Sequence, residues 1–159
     1  MVKKFPYKSI LVVCSVNTAR SCMAEGLLKD YFLKNNLDVE VYSGGIASNA
    51  RDGMLISIDA KLVMKEIGIN LSDGSKSFDL KRHKGLIKRA DLILTLTEKH
   101  KEEIMKYEEV DNKEVFTVKE FAGEYGDIAD PSMRGIEGFR IARDEITECL
   151  MKGLQKFSC

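Results

Sequence analysis

A short apolar run that stops on a cysteine, with an arginine close behind it, constrains this chain more than any other feature. The stretch Ser9-Ile10-Leu11-Val12-Val13-Cys14-Ser15-Val16-Asn17-Thr18-Ala19-Arg20-Ser21 passes from aliphatic and β-branched residues to small and polar ones, then enters an amphipathic segment. That order predicts strand, tight loop and helix, with the loop wrapped over the helix N-terminus. Successive backbone N–H groups in such a loop point inward and, with the helix dipole, favour an anion. The same field favours a thiolate, so Cys14 is expected to be partly ionised near neutral pH and nucleophilic. Arg20 offers a planar fork of donors to two oxygens of a phosphoryl group. A nucleophile beneath an oxyanion cradle is the minimum apparatus for phosphoryl transfer through a cysteinyl-phosphate. Taken alone, the same spacing also fits an inert strand-end cysteine and a surface arginine on the next helix.

The rest of the chain alternates strand and helix. Ala24, Leu27, Leu28, Tyr31 and Phe32 recur at helical spacing, so residues 21–34 are expected to form a helix that Asn35-Asn36 ends. Val39-Glu40-Val41-Tyr42 alternates as a second strand, and Ser43-Gly44-Gly45 reads as its turn. Ile58, Leu62, Met64 and Ile67 suggest the next helix, closed by Gly68. Residues 70–84 read as a polar loop followed by a short turn of helix. Asp91-Leu92-Ile93-Leu94-Thr95 has the compact apolar character of a buried parallel strand. Thr97 can cap a helix over 98–107, and Val115-Phe116-Thr117-Val118 is the fourth strand. Phe139, Ala142, Ile146, Cys149, Leu150 and Leu154 line one face of a final helix. The expectation is an α/β fold, one three-layer domain over residues 1–159, with a four-stranded parallel sheet covered by helices on both faces. Ligands in such sheets bind beyond the carboxyl ends of the strands, where Cys14 falls.

The chain has only two prolines, so Asp130-Pro131 stands out within Gly126-Asp127-Ile128-Ala129-Asp130-Pro131-Ser132-Met133-Arg134-Gly135. Proline keeps Asp130 out of the α region, in an extended loop from which a carboxyl can project. Cleavage of a phosphoryl ester or amide needs a proton on the leaving atom, which a loop aspartic acid can supply. The plainer alternative is a turn aspartate that accepts from nearby backbone amides.

The residues from Cys14 to Glu25 resemble the signature loop of the low-molecular-weight protein phosphatases, and Asp130-Pro131 resembles the loop that carries their general acid. The resemblance covers nearly the whole chain. Ser43-Gly44-Gly45 is similar to the family's Ser-Ala-Gly turn. Residues 90–94 are similar to a strand that usually continues to Met and a helix carrying His; here Leu96 replaces that Met and His100 remains. Residues 115–121 and the following Gly-Asp-Ile run resemble the bacterial branch that includes protein arginine phosphatases. The resemblance implies that Cys14 is the nucleophile, that Arg20 binds phosphoryl oxygens, and that Asp130 serves as acid and then base. It implies that residues 15–21 (Ser15, Val16, Asn17, Thr18, Ala19, Arg20, Ser21) cradle the phosphate. Ser21 would hydrogen-bond the thiolate, Asn17 would hold the loop in a left-handed turn, and Ser43 would brace Asn17.

Some positions depart from the family pattern. Val16 stands where glycine is usual, Ala19 where many relatives carry a second cysteine, and Cys22 where proline is common. Thr18 matches the threonine of the family's arginine phosphatases, and Ser132-Met133 lacks the aromatic residues that follow Asp-Pro in its tyrosine phosphatases. Asp127 and Asp130 would meet the cationic remainder of a phosphoarginine. The implied function is a cysteine-dependent protein phosphatase acting on phosphoarginine, with a protein tyrosine phosphatase as the alternative. An arsenate reductase of this fold needs further cysteines in a segment where residues 76–113 have none.

Charge and cysteine usage bound the remaining classes. Lys and Arg number 25 against 25 Asp and Glu, so neither nucleic acid nor a membrane surface is an expected partner. No apolar run has transmembrane length, and no secretory h-region is seen near the N-terminus. Cys14, Cys22, Cys149 and Cys159 show neither metal spacing nor a disulfide framework. His83 and His100 read as solvated surface histidines. Gly68 to Ser77 has the flavour of an ATP-binding loop but the wrong spacing. The expected protein is cytoplasmic, without metal or cofactor, a monomer or weak dimer that takes phosphorylated proteins and releases inorganic phosphate.

Overall fold

The computed structural model describes residues 3–72 and 74–158; Asp73 and Cys159 lie outside them. In chain order the elements are β1 (Lys3–Lys4), β2 (Ser9–Cys14), α1 (Arg20–Lys34), β3 (Glu40–Gly45), α2 (Ile58–Glu66), α3 (Lys84–Arg89), β4 (Leu92–Thr95), α4 (Glu98–Ile104), a 3-10 turn (Glu108–Val110), β5 (Glu114–Thr117), α5 (Val118–Phe121), α6 (Gly135–Leu154) and β6 (Phe157–Ser158). The main sheet is parallel throughout, in the order β3-β2-β4-β5.

Strand β2 is buried along its whole length, which is why it reads as a continuous apolar run instead of an alternating one. Its side chains divide between two cores. Ile10 and Val12, with Leu92 and Leu94, face α1, α2 and α6, while Leu11 and Val13, with Ile93 and Val115, face the side of α3 and α4. Full burial of each such side chain contributes about 1.5–3 kcal/mol. The end of β2 is therefore a rigid mount for Cys14. Helix α6 buries Phe139, Ala142, Ile146, Cys149, Leu150 and Leu154, the face its spacing predicts.

Several local expectations are corrected. Ser43-Gly44-Gly45 is not a turn: β3 runs through it to Gly45, paired with β2 up to Cys14. The glycines are needed for space. A Cβ on Gly44 would lie 2.5 Å from Leu80, and one on Gly45 would lie 2.7 Å from the Ser15 carbonyl oxygen. Val118 belongs to α5 and not to the fourth strand, because Thr117 and Glu120 form a capping box that starts a helix there. Helix α4 ends at Ile104, short of the expected Tyr107. Helix α2 is where its apolar spacing places it, but of that apolar set only Met64 is buried. Ala60, Val63 and Met64 are buried, while Ile58, Leu62 and Ile67 are 73%, 51% and 41% exposed. The small parallel pairing of β1 with β6 has no counterpart in the sequence reading, being too short to leave a periodic signal.

Candidate active site

Cys14 ends β2, and residues 15–19 curl from it to the start of α1. Ala19 stands at the N-cap and has no side-chain oxygen to offer, so the helix's first N–H groups remain available to a ligand. Cys14 Sγ lies 2.9 Å from Ser21 Oγ and accepts the Asn17 N–H at 3.3 Å.

Asn17 is the keystone of the loop. It is left-handed, with φ 65°, and only 2% exposed. Its Nδ2 donates to Ser21 Oγ at 2.9 Å and to Ser43 Oγ at 2.8 Å. Its Oδ1 accepts the Phe78 N–H at 2.9 Å, and its carbonyl accepts the Cys22 S–H at 3.3 Å. Val16 is not among the residues with positive φ, so valine in place of glycine carries no backbone strain there.

The direction of these bonds follows from one charge. Ser43 donates its single hydroxyl hydrogen to the Glu25 carboxylate, so its oxygen must accept from Asn17. The second Asn17 hydrogen goes to Ser21, which frees the Ser21 hydroxyl hydrogen to point at Cys14 Sγ. Glu25, held also by Lys29 at 2.6 Å, thus polarises a chain of bonds that ends on the sulfur.

The other side of the loop is pinned by His100. Its Nε2 lies 2.8 Å from Ser15 Oγ, and the Ser15 carbonyl accepts the Ala47 N–H at 3.0 Å. His100 is 4% exposed, not solvated as expected. Burial, seconded by the Arg20 charge, pushes its pKa down to about 4, so the ring is neutral near pH 7. His83 does lie near the surface, where it bonds Asp52 at 2.8 Å and meets the edge of Phe78.

Arg20 is buried, with Nη1 donating to the Ile128 carbonyl at 2.8 Å. That bond links the cradle to the segment leading into Asp130-Pro131. Asp130 Oδ1 accepts the Ser132 N–H at 3.0 Å, the turn geometry of the plainer alternative. Burial works against the Asp130 charge, but the Ser132 donors and the cations of Arg20 and Arg134 outweigh it, holding the carboxyl below its ordinary range. The Thr18 carbonyl accepts the Ser57 N–H at 2.8 Å, tying the loop to the start of α2. Asp127 caps α4, its Oδ1 accepting the Glu98 N–H at 2.8 Å. Cys22 is buried, and burial with the nearby Cys14 and Glu25 pushes its thiol well up, leaving it a weak nucleophile.

The fold thus gathers Cys14, Asn17, Ser21 and Ser43 into one bonded group, holds Ser15 separately against His100, and sets Asp127 at the N-terminal end of α4. Glu25 and His100 were missed as parts of this arrangement. Glu25 gave only its place at the end of the signature stretch on α1, and His100 only its place in the family pattern.

Residues 9–158 match the family described as low molecular weight phosphotyrosine protein phosphatase. The chain belongs to that family. This phosphatase is 42% identical over 143 residues to a protein-arginine-phosphatase of Geobacillus stearothermophilus, covering 89% of each chain. It is 34% identical over 131 residues to the low molecular weight protein-tyrosine-phosphatase PtpB of Staphylococcus haemolyticus, covering 82% of this chain and 86% of the other. The crystal structure of a low molecular weight protein tyrosine phosphatase from T. tengcongensis superposes with a TM-score of 0.84 at 32% identity, covering 94% of this chain and 99% of that one. The expected fold class, a four-stranded parallel sheet between helices, is that of the family. Among the described residues no group of three or more His, Cys, Asp or Glu side chains is arranged to hold a metal, and no helix is long and apolar enough to cross a membrane.

Proposed function

We propose that this phosphatase removes the phosphoryl group from phosphoarginine side chains of proteins through a cysteinyl-phosphate on Cys14. The observation that carries the reading is the Cys14 sulfur with the Asn17 N–H and the Ser21 hydroxyl aimed at it, at the mouth of an uncapped helix. The sulfur attacks phosphorus in line, and the P–N bond breaks as the guanidine nitrogen takes a proton from Asp130. Asp130 then removes a proton from water, which attacks the phosphoryl group. The S–P bond breaks, inorganic phosphate leaves, and Ser21 stabilises the departing thiolate. Arg20, held at Nη1 by Ile128, keeps its other donors for the equatorial oxygens, where charge grows in the transition state. Asp130 is ionised in the resting site; a dianion bound beside it offsets the Arg20 charge and favours its protonation.

Thr18 and the Ser132-Met133 sequence support phosphoarginine. A polar threonine suits a planar, polar head better than an aliphatic slot would, and no aromatic side chain follows Asp130-Pro131 to clasp a phenyl ring. The name of the Geobacillus relative supports the same side. Asp127, exposed near the mouth, adds negative potential for a cationic head. The free thiols of Cys14, Cys22 and Cys149 accord with a reducing, cytoplasmic setting.

Matched phosphoarginine and phosphotyrosine peptides test the substrate. The wild type should show the higher kcat/KM on phosphoarginine. Thr18→Ile should shift the ratio toward phosphotyrosine by roughly ten- to two-hundredfold, the scale of one small group in a pocket. An unchanged ratio, or a wild type that prefers phosphotyrosine, contradicts the assignment.

A further inference from the structure

Helix α2 turns apolar side chains toward solvent beside the site. Leu55, Ile58 and Leu62 are 66%, 73% and 51% exposed, and Ile58 and Leu62 lie one turn apart on the same face. Leu62 also lines, with Ile136 of α6 and with Lys65, Glu66 and Arg140, a groove of about 300 Å³. The walls of that groove are fastened together. Arg140 bonds Glu66 at 2.8 Å, and Arg143 reaches both Glu66 at 2.7 Å and the Val63 carbonyl at 2.8 Å. Glu66 and Glu137 pair with Arg140, so the acidic groups at the groove are held by a guanidinium, and Lys65 adds a positive charge at its rim.

Its two walls continue from the two loops of the site. Helix α2 starts directly after Ser57, whose N–H holds the Thr18 carbonyl, and α6 starts directly after the Asp130-Pro131 turn. A protein side chain that places its phosphoryl group on the Cys14 loop leaves its own backbone outside the mouth. At about 3.3 Å per extended residue, neighbours two to four positions away reach the first turns of these helices. The apolar pair Leu62 and Ile136, rimmed by Lys65, Glu66 and Arg140, suits an aliphatic or aromatic side chain there. Exposed apolar surface of this kind marks an interaction site more often than chance.

We infer that Leu55, Ile58, Leu62 and Ile136 form a docking face for the substrate polypeptide itself, taking an apolar side chain a few residues from the phosphorylated one. This rests on the phosphatase reading above, and not on the choice between phosphoarginine and phosphotyrosine. The occupant is an extended segment of the protein being dephosphorylated, so apolar flanks raise kcat/KM chiefly by lowering KM.

The test uses an Ile58→Ser/Leu62→Ser variant, whose exposed positions leave folding intact. It compares two phosphopeptides that differ only by Leu or Ser at the flanking positions, together with a small activated aryl phosphate. The wild type should favour the Leu peptide by about tenfold, the lower end of what one apolar group supplies in a pocket. The double variant should lose that preference and keep its rate on the aryl phosphate. Equal treatment of the two peptides by the wild type would overturn the inference, as would an equal loss on the aryl phosphate. So would a variant that altered only self-association in sedimentation, since the face would then serve a second copy of the chain. A wild type inactive on all three substrates would instead refute the phosphatase reading, and the docking face with it.

Discussion

Asn17 and Met133 both adopt the left-handed backbone conformation, at φ 65° and 70°, one in each loop of the active site. Around Asn17 every polar atom is bonded, and the residue is 2% exposed. Around Met133 the side chain is 101% exposed, and the turn rests on the Ser132 N–H to Asp130 bond and the Arg134 N–H to Pro131 bond. The same strain is over-determined in one loop and lightly supported in the other. The contrast suits their tasks. In the proposed mechanism the cradle for developing charge works by being preorganised, whereas the loop assigned to deliver a proton must also admit a side chain and release it. Arg20 belongs to both, buried in the cradle and bonded to Ile128 at the root of the second loop.

The sharpest way to break that division is at the sulfur. Cys14→Ser should lower turnover at least about a thousandfold, the scale for an essential nucleophile, while oxyanion binding survives because the cradle does not depend on the thiol. Steady-state rates and phosphate-protected thermal melts together check this; a variant with a tenth of the wild-type rate would rule out covalent catalysis.

His100 tests how much stability the rigid side contains. Its folded pKa lies near 4, below the ordinary histidine value of about 6.5. The unfolded chain therefore takes up the proton first as pH falls. The stabilisation is complete above about pH 6.5 and is lost on the way to about pH 4, amounting to roughly 3 kcal/mol. Denaturant unfolding across that window should show a flatter slope for His100→Asn than for the wild type. Parallel slopes would mean that the ring protonates as readily in the fold as in water.

The lightly bonded side answers to chemistry more than to folding. Asp130→Asn should lower kcat/KM for substrates with poor leaving groups by roughly a hundredfold while sparing kcat/KM for an activated aryl phosphate, whose leaving group needs no proton. Equal losses on both would make Asp130 a positioning residue. The smallest effect returns to the two left-handed residues. Met133→Gly should raise stability by about 1 kcal/mol, because only backbone strain is removed. Asn17→Gly relieves the same strain but should destabilise, since it abandons the bonds to Ser21, Ser43 and Phe78. Opposite signs in thermal melts are expected; matching signs would erase the distinction between the loops.

What could be read in advance divides along a similar line. Cys14, Arg20 and the strand–loop–helix around them were legible because the apolar run, the small residues and the helix periodicity are all local. The left-handed turn at Asn17 was legible because few side chains tolerate it. Gly44 and Gly45 were misread as a turn because their reason is the approach of Leu80 and Ser15, which are distant in sequence. Helix α2 was placed correctly, but of its apolar set only Met64 is buried, since periodicity finds apolar positions without saying whether the core covers them. His100 looked like a surface residue on a charged helix; only the closeness of α4 to the Cys14 loop buries it against Ser15.

The covalent intermediate itself is the most direct test of the whole mechanism. Mixing Asp130→Asn with an activated aryl phosphate should form the intermediate quickly and release phosphate slowly, because in the proposed mechanism the carboxylate that protonates the leaving group must later activate water. Alkaline quench at short times, proteolysis and mass spectrometry should find one phosphoryl group on the peptide containing Cys14, removed by iodine or by mildly acidic incubation, which cleave S–P bonds. Phosphate released at the full rate with no modified Cys14 at any time, or a phosphoryl group trapped on another residue, would contradict it.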